Sequence, residues 1–184
     1  MNFKKTNLYN GKFLRVIGKE FQTKTGKDCL WECVERSNVR GIVAVFAVTK
    51  KEKEVVLTKQ YRIPHEGCVV ETPAGLVDKD GENFTDTAKR ELQEETGYSA
   101  DKFIYVHGGP FNAGMSDCVM DIYYAPDAEY VGFEGVESDD AEDIEVIKIP
   151  LKDLVDFCVK KHDDFTVDIK ILGTLKILEY KGLL

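Results

Sequence analysis

The chain has 184 residues, 43% of them hydrophobic and 32% charged, with a formal net charge of −8. That length suits one domain, or one domain with an appendage, and the composition excludes a disordered chain. The acidic balance argues against nucleic-acid binding, and no apolar run reaches the length of a bilayer span.

The opening MNFKKTNLYNGKF has charge with no apolar core behind it, so it is not read as a signal peptide and the expected home is the cytoplasm. Lys12 to Thr23 and Asp28 to Arg36 are β-rich runs joined by the turn-forming Thr23-Lys24-Thr25-Gly26-Lys27. Ile42 to Val48 is continuously apolar and predicts a strand buried on both faces. Strands are expected at Glu54 to Arg62 and Cys68 to Thr72, then a helix from Thr85, as N-cap, to Thr96, with Gly97 as its stop. Further strands are expected near Phe103 to His107, Met120 to Ala125 and Ile144 to Ile149. Helices are expected over Leu151 to Lys161 and Val167 to Tyr180. The mixture predicts an α/β fold with helices on a mixed sheet, behind a small N-terminal antiparallel β appendage.

Five cysteines at wide spacings read as reduced thiols. Cys29 and Cys33 lie four residues apart on a strand, about 13 Å, too far to share one zinc ion. His65, His107 and His162 show no ligand spacing.

Chemistry concentrates in the segment Gly75 to Tyr98, GLVDKDGENFTDTAKRELQEETGY. On a helix, Glu91, Glu94 and Glu95 stand at i, i+3 and i+4 and crowd one face. Their mutual repulsion makes sense around a cation, and carboxylate oxygen is what magnesium and manganese prefer. For a bare E-x-x-E-E a solvated acidic face is the better explanation. The order Gly75, Glu82, Arg90, Glu91, Leu92, Glu94, Glu95, Gly97, Tyr98 decides between them. It resembles the Nudix box, G-x5-E-x7-R-E-U-x-E-E-x-G-U, where U is a large apolar residue. One residue is inserted ahead of Glu82, at Lys79 or Asp80, in a loop that tolerates it.

The resemblance implies a Nudix-type α/β/α sandwich over residues 39–184, preceded by an appendage at 1–38. It implies metal ligands at Glu91, Glu94, Glu95 and the Ala74 carbonyl, with Mg2+ expected and Mn2+ as the alternative. Gly75, Glu82, Arg90 and Gly97 would shape the box, with Glu82 and Arg90 paired. A metal-activated water would attack a diphosphate.

The stretches LWECVER (Leu30 to Arg36), KQYR (Lys59 to Arg62) and ETPAG (Glu71 to Gly75) resemble the branch that hydrolyses ADP-ribose and other nucleoside diphosphate sugars. That likeness implies a homodimer built through the N-terminal strands, with Trp31 and Phe13 stacking on the base. It places Arg36 and Arg62 near the phosphates and terminal ribose, and Leu76 and Phe111 against substrate. Glu142 is the matching acid of a later loop and a candidate general base, with Glu137, Asp139, Asp140 and Asp143 as neighbours. The branch carries a proline where this chain has Ala113, within Phe111 to Asp117, while Gly114 and Ser116 fit.

The expected reaction is therefore hydrolysis of a nucleotide sugar, with ADP-ribose going to AMP and ribose 5-phosphate. GDP-mannose or NADH is the alternative substrate, and a non-catalytic nucleotide-sensing module is the alternative role. No nucleic-acid or membrane partner is expected.

Overall fold

The computed structural model describes residues 2–134 and 143–184. The N-terminal strands β1 (Phe3–Asn10), β2 (Leu14–Gln22) and β3 (Asp28–Arg36) form their own antiparallel sheet in that order. The turn between β2 and β3 closes at Gly26, whose φ of 83° suits a residue without a Cβ. The strand β1 has no counterpart in the expected elements. Its lysines and asparagines hide any alternation, and every residue in it except Thr6 is exposed.

The second sheet has nine strands. Its members are β4 (Ile42–Thr49), β5 (Glu54–Arg62), β6 (Gly67–Glu71), β7 (Ala74–Leu76), β8 (Tyr98–Ser99), β9 (Ile104–Pro110), β10 (Val119–Tyr130), β11 (Ile144–Pro150) and β12 (Phe165–Val167). Pairing is mixed: β4 with β10 and β6 with β12 are parallel, and the remaining pairs are antiparallel. Helix α1 (Phe84–Thr96) covers one face, and α2 (Leu154–Val159) and α3 (Lys170–Tyr180) cover the other. The strand β4 shows why its run is apolar throughout. Val43, Val45 and Ala47 pack with Ala88 and Leu92 of α1, while Phe46 and Val48 pack with Leu154, Ile171 and Leu178. Burying each large side chain of this set stabilises the fold by about 1.5–3 kcal/mol. No helix among the described residues is long and apolar enough to cross a membrane.

All three expected helices start elsewhere than expected. The N-cap of α1 is Asn83, whose side chain accepts from the Asp86 amide at 2.9 Å, and Thr85 lies inside the first turn. The cap belongs to the residue whose oxygen reaches that third helical amide. Gly97 ends α1 as expected, in the left-handed region at φ 70°. The segment expected as helix from Leu151 opens with a short 3-10 turn and is α-helical only over Leu154–Val159. The last helix begins at Lys170, because Phe165–Val167 is taken up as a strand beside β6.

Candidate active site

The box begins where β7 pairs with β4, placing Gly75 opposite Val43 and Ala74 opposite Ala44. Short pairing brings the loop down onto α1. The Ala74 amide donates to Glu95 Oε2 at 3.1 Å. Gly75 lies so close to Glu91 that an added Cβ would fall inside its carboxylate. Glycine is therefore required there by the neighbour it admits, not by an unusual φ.

Arg90 organises the acids. Its Nε and Nη2 donate to Glu82 Oε1 and Oε2 at 2.8 and 3.2 Å, and its Nη1 donates to Glu91 Oε1 and Glu94 Oε2, each at 2.7 Å. The Thr87 hydroxyl adds a bond to Glu82 Oε2 at 2.8 Å. The Arg90 bond is the largest influence on Glu82 and holds its pKa below the ordinary value, against the opposing effect of burial. For Arg90, burial works hardest against the charge, yet its bonds to Glu82 and Glu94 and the field of Glu91 raise its pKa above the usual guanidinium range. Lys79 approaches Glu94 Oε1 from the loop side at 3.8 Å.

These groups open into a cavity of about 950 Å³. Of the residues singled out in the sequence, Arg36, Arg62, Ala74, Gly75, Leu76, Arg90, Glu91, Glu94, Glu95 and Phe111 line it. Arg62 there pairs with Glu71, Nε to Oε2 at 2.6 Å. Glu82 and Gly97 stand behind the wall, supporting the box through Arg90 and the end of α1. Among the described residues no three acidic, histidine or cysteine side chains already converge as a ligand set. Arg90 and Lys79 engage Glu91 and Glu94, and Glu95 is turned to the Ala74 amide. The donors still fit a hard divalent cation: three carboxylates from adjacent turns of one helix, with a backbone edge at Ala74, on one cavity wall.

The two aromatic residues singled out in the N-terminal segment lie apart. Trp31 and Phe13 are both exposed, and neither lines the cavity. The Ser37 amide donates to the Phe13 carbonyl, which puts Phe13 opposite Ser37. Trp31 is six residues further along β3, about 20 Å at strand rise, so the two rings of one chain do not sandwich one base. Trp31 is instead tied to the loop after β9, its Nε1 donating to the Gly114 carbonyl at 3.0 Å. The Val34 amide donates to the Met115 carbonyl at 2.7 Å beside it. Ala113 lies in this same loop, within a turn closed by Met115 and Ser116 amides on the Asn112 carbonyl. Glu142, with Glu137, Asp139 and Asp140, lies outside the described residues.

Several cavity residues carry no signal in the sequence. Asp168 and Lys170, paired with each other, enter from the start of α3, and the Lys170 ammonium lies 5.9 Å from the Phe111 ring centre. Phe133 also lines the cavity and meets Tyr130 edge to face at 6.4 Å. Nothing in their local spacing marks them; only the β6–β12 pairing and the turn after β10 bring them in.

Comparison with known proteins agrees with this geometry. The family model described as NUDIX domain matches residues 39–168. An ADP-ribose pyrophosphatase of Bacillus subtilis (strain 168) is 31% identical over 177 residues, 96% of this chain and 91% of that one. A methanol dehydrogenase activator of Bacillus methanolicus is 29% identical over 182 residues, covering 97% of this chain and 95% of that protein. A solved structure described as an ADP compounds hydrolase superposes with a TM-score of 0.76 at 19% identity, over 100% of this chain and 96% of the other.

Proposed function

We propose a substrate for a chain that belongs to the Nudix family and is a hydrolase of that type: ADP-ribose, cleaved at its diphosphate to AMP and ribose 5-phosphate. The observation that carries this reading is the shared cavity, where Glu91, Glu94 and Glu95 face the same space as Arg36 and Arg62. Acids for a cation and arginines for phosphate in one cavity suit a metal-bound diphosphate. The Bacillus subtilis relative, an ADP-ribose pyrophosphatase matched over 96% of this chain, supports the nucleotide-sugar class.

Glu91, Glu94, Glu95 and the Ala74 carbonyl would hold the divalent cation, magnesium first and manganese as the alternative. Once bound, that cation would supply charge neutralisation for the diphosphate and lower the pKa of a bound water. The remaining work falls to the chain. Arg90, gripping Glu82, keeps the loop and α1 at a fixed spacing, so that Glu94 and Glu95 stay aimed into the cavity. Arg36 and Arg62 orient phosphate oxygens, while Leu76 and Phe111 exclude water beside the sugar or base. A carboxylate takes the proton as water oxygen bonds to phosphorus and the bridging P–O bond breaks. Glu142 is assigned that step by its match to the family pattern.

We assign residues 1–38 to dimerisation and residues 39–184 to hydrolysis. Phe3, Leu8, Tyr9, Leu14, Leu30 and Trp31 are all exposed on the N-terminal strands, and a second copy would cover the apolar side chains of one face, such as Leu8 and Leu30, which meet over Gly18. Trp31 and Phe13 then meet a base with rings from two chains instead of one. The cytoplasm is the compartment in which five free thiols stay reduced.

Ala113 favours one second reading, a different nucleotide sugar or dinucleotide such as GDP-mannose or NADH, since it replaces the residue that the branch carries there. The test is a hydrolysis screen of purified protein with magnesium and then manganese, over ADP-ribose, GDP-mannose, ADP-glucose and NADH. ADP-ribose turned over fastest bears out the first reading. A faster rate on another compound replaces it, and turnover of none refutes both.

A further inference from the structure

Lys79 occupies an unusual place for a surface lysine. It sits in the loop between Gly75 and Glu82, in the stretch that is one residue longer than the box pattern it resembles. Its backbone is fixed: the carbonyl accepts from Arg40 Nη2 at 3.0 Å and from the Glu82 amide at 3.3 Å. Its side chain leaves that anchor for the cavity, which it lines, and brings the ammonium to 3.8 Å from Glu94 Oε1. Half of the side chain remains exposed, so the ammonium is free to move about a fixed stem.

We infer that Lys79 is a substrate-binding residue, its ammonium taking a non-bridging oxygen of the diphosphate. The inference rests on the diphosphate chemistry proposed above and adds a contact to it. Its basis is electrostatic succession. Glu94 is the carboxylate paired with the ammonium. A dication held by Glu94 would compete for that carboxylate and repel the ammonium. A diphosphate drawn to the same dication would offer a new anion within reach of a side chain already aimed at the cavity. A compact, mobile ammonium suits this exchange better than a guanidinium locked in a planar fork, the state of Arg90. Lys79, in this lengthened loop, thereby adds a cation to a site whose other proposed phosphate contacts, Arg36 and Arg62, come from β3 and β5.

The test compares wild type, Lys79→Met and Lys79→Arg with a methylene-bridged, non-hydrolysable ADP-ribose analogue, titrated calorimetrically in saturating magnesium. Inorganic diphosphate is the second probe. Lys79→Met is expected to weaken both ligands about tenfold and to raise KM for ADP-ribose in parallel. Its kcat should stay within about threefold, its melting temperature should be unchanged, and Lys79→Arg should recover most of the affinity. Unchanged affinity for both ligands in Lys79→Met overturns the inference. So does a change confined to tighter magnesium binding, which would make Lys79 only a counter-ion of Glu94. Should wild type bind inorganic diphosphate but not the ADP-ribose analogue, the substrate proposal fails. The Lys79 contact is then decided on diphosphate alone.

Discussion

The Arg90 guanidinium grips Glu82 along an edge, Nε to Oε1 at 2.8 Å and Nη2 to Oε2 at 3.2 Å. The remaining nitrogen, Nη1, serves Glu91 and Glu94. Removing the guanidinium takes the shared cation from three partly buried carboxylates. Arg90→Met is therefore expected to destabilise the fold by about 3 kcal/mol in urea unfolding without metal. Magnesium should recover part of that loss, because an ion binding only the folded acids stabilises by mass action. An equal loss with and without magnesium would count against these acids as the ligands.

The same pair gives a pH signature. The folded-state pKa of Glu82 lies below its ordinary value of 4.5, chiefly through the Arg90 bond. A depressed carboxylate stabilises fully above the unfolded value and loses that contribution as pH falls through the folded value. The stability advantage of wild type over Glu82→Gln should thus be constant near neutrality and shrink below about pH 4.5. Parallel urea midpoints for the two proteins down to pH 3 would contradict it.

Glu94 and Glu95 differ in their partners but share a wall. Glu94 is held by Arg90 and Lys79, and Glu95 accepts from the Ala74 amide. Replacing either with glutamine keeps size and removes charge. Turnover is expected to fall about a hundredfold or more in each, with unchanged circular dichroism. Near-normal rates in both would remove the metal assignment.

Two glycines separate packing from propensity. Gly75→Ala places a Cβ inside the Glu91 carboxylate, so it should displace that acid, weaken magnesium binding and cost most of the activity. Gly173 of α3 is exposed and has open space at its Cβ position. Gly173→Ala should raise stability by about 0.5–1 kcal/mol through helix propensity and leave turnover alone. Thermal melts and steady-state rates on both variants check the pair.

The helix and the central strand were legible because each announces itself within a short window. The β4 run is apolar on both faces because helices lie on both sides, and α1 carries its acids, its apolar pair Ala88 and Leu92, and its terminal Gly97 within a few turns. Regions built by distant pairing were not. Val167 reads as helix from its neighbours, yet it becomes strand because Val70 offers it an edge. Asp168 and Lys170 reach the cavity through that pairing alone. The Asn83 cap is not legible locally because Thr85 is also a capping residue by type, and the reach of the Asn83 oxygen to the Asp86 amide is what selects it. The separation of Trp31 and Phe13 within one chain is set by the β2–β3 register, which no local spacing announces.

The seam between β6 and β12 has a temporal side. The Asp168 amide closes it by donating to the Val70 carbonyl at 2.9 Å, and Lys170 follows directly into the cavity wall. During synthesis the acidic helix emerges some seventy residues before this segment does. A nascent chain thus holds its row of repelling carboxylates with one side of the cleft still missing. Only when residues 165–170 dock along β6 is the pocket completed, so the substrate-holding shape arises only after that later segment has been made.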